Sequence, residues 1–176
     1  MHAIPDTLLQ LYQRARGLQP AGAISVLQLS ATQCAFASGS GAAPASSILL
    51  ALGTQLGASL FRHAPPTALE MEHAIMLVED TLAPVRPTLA AASQLYCADA
   101  CVRALAGHAG VAGDGVLWLP TGQLEYTFGR FAEVVQGRPA ALEGLPVDGE
   151  FAAALLIMRE LTHHLGFAGI HLLPAQ

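Results

Sequence analysis

A chain of 176 residues with 53% hydrophobic and only 12% charged residues has the size of one domain and unusually few groups with which to wet its surface. Its basic residues are eight arginines and no lysine, and the formal net charge is −5. That balance excludes a nucleic-acid-binding surface, which needs surplus cations to displace the counterions of a phosphate backbone, and it leads us to expect a homo-oligomer that covers apolar area.

The start, Met1-His2-Ala3-Ile4-Pro5-Asp6, has no basic segment followed by an apolar run, so we expect no secretory leader and a cytoplasmic chain. The longest apolar run, Phe151 to Met158, is far short of the ~20 residues of a bilayer-spanning helix. Cys34, Cys97 and Cys101 form an odd set without zinc-ribbon spacing and read as reduced, buried hydrophobes.

In chain order, Asp6 can cap a first helix ending near Arg16 with Gly17 as a left-handed stop, which makes residues 1–22 an N-terminal helical attachment. Ala23–Ser30 and Gln33–Ser38 alternate small and β-branched residues as two paired strands would, and Gly39–Pro44 is a turn. Ser47–Leu52 fits a third strand, although Leu49, Leu52, Leu56 and Leu60 also repeat at helical spacing, so residues 46–62 are either a strand plus a helix or one helix. Thr67 with Glu70 predicts a capping box opening a helix with Met71, Ile75, Val78 and Leu82 on one face. Ser93–Ala98 reads as a strand, Asp99 as the cap of a helix reaching Leu105, and Val116–Leu119 as a further strand. Thr121 can cap the next helix, with Leu124, Phe128, Phe131 and Val135 inward, followed by a loop from Gly137 to Pro146. Asp148 caps a C-terminal helix over 149–167, closed by Gly166.

We therefore expect a single α/β domain over 1–176: a mixed sheet made of a three-stranded antiparallel hairpin sheet plus two further strands, covered by helices. This order is the layout of the ribonuclease-H-like fold and of each half of the actin-like ATPases. Within that group the stretch Ala23 to Phe131 resembles the N-terminal domain of the exopolyphosphatase and guanosine-pentaphosphate phosphatase family. Val26–Gln33 stands where that family carries a strand ending in Asp-x-Gly-Ser-Asn, its aspartate falling on Gln28 and its glycine on Ser30. Tyr96–Ala104 resembles the family's strand-to-helix stretch of small residues. Leu119–Glu125 resembles its Ser-Gly-x-x-Glu segment, which implies Glu125 as the general base that activates water. As a phosphohydrolase the protein would use Mg²⁺ and a small phosphorylated ligand.

The departures matter as much. Gln28 lacks the carboxylate that would position a metal or phosphate, and Ser30 blocks the close backbone approach that glycine allows. The chain also holds one domain where the family closes its cleft with two. The resemblance thus implies either a non-catalytic binding or regulatory domain, the reading we favour from the residues, or a divergent phosphohydrolase built on Glu125.

Two Glu-x-x-His pairs, Glu70/His73 and Glu160/His163, have the spacing at which helical residues share a face and bind iron in carboxylate bundles. His73, Glu160 and His163 are the outside candidates for a metal, although capping accounts for Glu70 and the negative end of a helix for His163. Gln28, Ser30, Arg159 and His164 are candidates for a ligand pocket or interface. His163 and His164 point about 100° apart on a helix, so at most one serves any given site. There is no Walker loop, nucleophile elbow or dinucleotide fingerprint.

Overall fold

The alternation between Ala23 and Ser38 becomes an antiparallel hairpin of β1 (Ile24–Leu29) and β2 (Cys34–Gly39) in the computed structural model, which describes residues 4–174. The reading of Met1–Ala3 as leader-free lies outside those residues. β3 (Ser46–Leu50) pairs antiparallel with β2 and is followed by a five-residue helix, α2 (Leu56–Leu60), which settles the ambiguity over 46–62 as strand plus helix. β4 (Gln94–Cys97) lies parallel beside β1.

The sheet has six strands rather than five. β5 (Leu117–Pro120) does not pair with β4; a strand unforeseen from the sequence, β6 (Gly169–Leu172), lies between them, parallel to β4 and antiparallel to β5. The order is β3-β2-β1-β4-β6-β5. Gly169 makes the β5–β6 junction possible, because a Cβ there would stand 2.5 Å from the Leu119 carbonyl oxygen and 2.7 Å from the Trp118 ring.

Successive strand residues face opposite sides of the sheet, so each strand feeds two layers. Ile24, Val26, Ala35, Ala37 and Tyr96 pack under α1 (Asp6–Leu18) through Leu8, Leu11, Tyr12 and Ala15. The alanines at 35 and 37 let the helix come close. α1 is therefore an integral layer rather than an attachment. Its N-cap is Pro5, not Asp6, and it continues through Gly17 to Leu18.

Leu27, Leu29, Cys34, Phe36, Leu95, Cys97, Ile170 and Leu172 face the other layer, built from α3 (Ala68–Leu82), α4 (Ala100–His108), α5 (Thr121–Val135) and α7 (Gly149–Leu165). α7 touches α2, α3, α4 and α5, which explains its unbroken burial from Ala152 to Met158. Both ends of α7 form as the sequence predicts, with Asp148 accepting from the Phe151 N–H at 2.9 Å and Gly166 at φ 75°. The Thr67–Glu70 capping box of α3 is also present. Thr121, by contrast, does not cap α5; its hydroxyl donates to the Phe167 carbonyl at 2.7 Å. The loop from Gly137 to Pro146 contains one helical turn, α6 (Ala140–Glu143). The three cysteines are free, Cys34 and Cys97 buried and Cys101 partly so. Among the described residues no helix is long and apolar enough to cross a membrane.

Candidate functional site

In an open sheet of this kind ligands bind outside the carboxyl ends of the strands, where chain connections depart in opposite directions. Here that place lies between β1, which leads to β2 on one side, and β4, whose neighbour on the other side is β6. The registers Leu27↔Cys97 and Cys97↔Leu172 bring the carboxyl ends of β1, β4 and β6 level, so Gln28, Leu29, Ser30 and Asp99 gather at one crevice.

The chain's own groups engage its polar edge. The Thr7 hydroxyl donates to the Gln28 side-chain carbonyl at 3.1 Å, which lays the start of α1 across the crevice. Ser30 and Gln33 close on one another: the Ser30 N–H donates to the Gln33 carbonyl at 2.9 Å, and the Gln33 N–H to the Ser30 hydroxyl at 3.1 Å. From behind, the Thr54 and Gln55 N–H groups donate to the Ser30 and Ala31 carbonyls at 3.1 and 2.8 Å. The N–H groups of Ser30 and Gln33, which a phosphate loop would offer to an anion, are thereby committed within the turn.

Asp99 stands at the N-cap position of α4, as the sequence predicts, but its side chain makes no capping bond. Its Oδ2 accepts from the Leu29 N–H at 2.6 Å and the Cys97 thiol at 3.2 Å, tying β1 to the β4–α4 junction. Burial raises its pKa above the ordinary carboxylate range, against the smaller lowering effect of the two hydrogen bonds. The folded state thus holds the Asp99 proton more tightly than the unfolded chain, and this group's contribution to stability falls as pH climbs from about 3.8 through the folded value. Asp99→Asn keeps an oxygen for both donors and removes the charge. We expect it to match or exceed the native chain in Tm at pH 7 and to lose that advantage below pH 4, a comparison that thermal melts at the two pH values check.

The crevice offers an anion little. A cleft of about 170 Å³ is lined by Thr7, Gln10, Arg14, Gln28 and Asp99, and the Arg14 guanidinium donates to the Pro174 carbonyl at 2.6 Å. Arg16 holds the Gln19, Gly22 and Gly39 carbonyls; Arg103 holds those of Gly113, Gly115 and Leu172. Arg130, Arg138 and Arg159 pair with glutamates.

Glu125 stands elsewhere. β5 runs antiparallel to β6 with Pro120 opposite Gly169, so α5 leaves the sheet at the amino ends of β4 and β6. Glu125, in the second turn of α5, thus starts from the end of the strands opposite to Gln28. Its carboxylate is exposed and lies 3.3 Å from His163 Nδ1. Glu125 and Gln28 therefore lie toward opposite ends of the strands rather than side by side, unlike the general-base arrangement expected from the sequence.

The metal candidates are also regrouped. His73 is exposed on α3, and Glu70 serves the cap of α3 and His63. Glu160 is fully buried but meets His164 one turn on, not His163 three residues on; the two histidines diverge toward Glu79 of α3 and Glu125 of α5 respectively. Arg159 is the counter-ion of Glu160 and lies 5.2 Å over the Phe128 ring. Sequence reasoning missed Asp99 as a crevice group because a carboxylate opening a helix already had a role as its cap. It missed Glu79 because that residue lies on another helix, 81 positions before Glu160.

A second surface feature had no sequence signal. On three adjacent strands, Tyr96 stacks on His171 with centroids 4.8 Å apart and the Trp118 ring lies tilted against His171 at 4.5 Å, beside a cleft of about 300 Å³. Trp118 is 42% exposed on edge strand β5, next to Val116 at 47%. Burial lowers the His171 pKa, so this ring is neutral at pH 7 and the patch is apolar.

No protein-family profile and no curated protein matches the chain. Solved structures do. The PPX-GPPA enzyme of Aquifex aeolicus superposes with a TM-score of 0.75 at 17% identity, over 94% of this chain and 57% of that one. An exopolyphosphatase from Cytophaga hutchinsonii gives 0.65 at 14%, over 96% and 58%. An exopolyphosphatase-like protein gives 0.64 at 14%, over 99% and 62%. The fold is thus exopolyphosphatase-like, and the chain spans about three-fifths of the length of these relatives.

Proposed function

We propose that this chain is a non-catalytic binding or regulatory domain on an exopolyphosphatase-like fold, and that it works as a homo-oligomer. The observation that carries the first half is the self-engaged crevice: Gln28 is held by Thr7, the Ser30–Gln33 turn bonds to itself, and Asp99 brings a desolvated carboxylate to the end of β1. A carboxylate without a bound cation repels phosphate, and the Arg14 guanidinium lining the same cleft gives one nitrogen to the Pro174 carbonyl. The competing reading, a divergent phosphohydrolase, needs Glu125 and the β1 turn in one cleft, and they lie toward opposite ends of the strands.

Self-association draws support from the low charge content and from the Val116–Trp118 edge, whose apolar side chains and unpaired backbone groups suit pairing with a second copy. The test is phosphate release from polyphosphate and guanosine pentaphosphate with Mg²⁺, run beside light scattering. We expect no turnover and a dimer or larger species, with Trp118→Glu shifting the latter to monomer. A clean monomer whose phosphate release is abolished by Glu125→Gln would reject the proposal.

A further inference from the structure

Glu160 is the one carboxylate in the described residues that is wholly buried, and only one of its oxygens is accounted for. Oε1 accepts from Arg159 Nη1. Oε2 has no hydrogen-bond partner, although His164 Nε2 stands 3.1 Å away, one helical turn further along α7. The same Nε2 lies 3.0 Å from Glu79 Oε1, across the α3–α7 contact. An imidazole nitrogen carries a single proton and directs it to one acceptor. Here it is directed to Glu79, and the buried oxygen stays unmatched.

We infer that Glu79, Glu160 and His164 form a site for one divalent transition-metal ion, which clamps α3 to α7. Three lone pairs, Glu79 Oε1, Glu160 Oε2 and His164 Nε2, converge with all separations below 4.8 Å. A cation accepts from all three at once, which a proton cannot do. The two nitrogen–oxygen separations match adjacent corners of an octahedron, which stand ~3.0 Å apart when the bonds are ~2.1 Å long. One imidazole with two carboxylates selects Zn²⁺ or Mn²⁺ over Mg²⁺ or Ca²⁺, which prefer oxygen alone. His164 and Glu79 are each about two-fifths exposed, at 41% and 42%, so the ion has an entry path and water can complete its shell. The Arg159 guanidinium lies on the far oxygen of Glu160 and fixes that carboxylate without using the free one. His163, turned toward Glu125, takes no part. The site goes beyond the non-catalytic reading and does not depend on it, since the ion here is structural.

The experiment uses the full untagged chain, stripped with a chelator and titrated with ZnCl₂ and separately with MnCl₂, following bound metal by equilibrium dialysis and Tm by calorimetry. About one ion per chain and a rise in Tm are expected, because a ligand that prefers the folded state stabilises it. His164→Ala and Glu79→Gln, both at partly exposed positions, should keep the native circular dichroism and weaken binding roughly tenfold or more. His163→Ala should bind as the native chain does. No stoichiometric uptake of either ion overturns the inference, and so does uptake that both variants leave unchanged. A Tm loss in His164→Ala without any metal dependence would reduce the cluster to an ion pair and equally overturn it.

Discussion

Gly53→Ala is expected to lower stability by at least ~3 kcal/mol, the upper range for overpacking a filled interior. An added Cβ would stand 2.4 Å from the Ala31 carbonyl oxygen and 2.5 Å from the Thr32 nitrogen, both backbone atoms with no rotamer to move aside. Relief requires the β1–β2 turn to part from the 53–55 segment, breaking the bonds from Thr54 to Ser30 and from Gln55 to Ala31. The same substitution thus probes the closure of the crevice from behind. Gly129→Ala is the control: it lies inside α5 with nothing within 4 Å of the new Cβ, and should raise stability by about 0.5–1 kcal/mol through helix propensity. Urea unfolding of the two variants beside the native chain measures both. Equal small effects would show that the turn is free to move.

Arg159→Ala should be the costliest charge substitution, about 3–5 kcal/mol, because it strands a carboxylate with no exposure to water. His164 cannot fully take over, since its Nε2 proton is already directed to Glu79. Arg159 also lies over Phe128, so part of the loss is packing. A double variant separates the two contributions. Arg159→Met with Glu160→Leu removes the charge and its partner together and should recover most of the lost stability in metal-free buffer, as apolar replacements of buried ion pairs do. If the double variant is as unstable as the single one, the pair is not what holds this part of α7.

Much of the architecture was legible where one residue's surroundings settle its role. The alternation of Ala23–Ser38 gave the hairpin, Thr67 with Glu70 the start of α3, and Asp148 with Gly166 both ends of α7. These are local devices that work within a few residues of sequence. β6 was not legible, because four residues after a helix stop carry too little pattern, and what makes them a strand is the slot between β4 and β5. That insertion also decides the candidate site. With β5 reversed at the edge, the helix that follows it departs from the amino ends of the neighbouring strands, and a glutamate that resembled a general base is carried away from the crevice. Gln28 and Ser30 lie at the carboxyl end of the strand read from the alternation, while their partners Thr7, Gln33 and Asp99 depend on three-dimensional neighbours that sequence spacing does not encode. For the same reason the sequence pairs Glu160 with His163 while the structure sets it against His164: spacing of three and of four both share a helix face, and Glu79 on α3 also meets His164.

The claim on which the functional reading rests is that the hydrogen-bonding groups of the crevice between β1 and β4 are engaged by the chain itself. Backbone amide chemical shifts of the isotopically labelled protein, followed while pyrophosphate and Mg²⁺ are added together, test it most directly. We expect the amides of Leu29, Ser30, Gln33 and Asp99 to stay in place through millimolar ligand. Saturable shifts confined to those four residues would mean that the crevice opens to a phosphate, and the non-catalytic reading would fall with it.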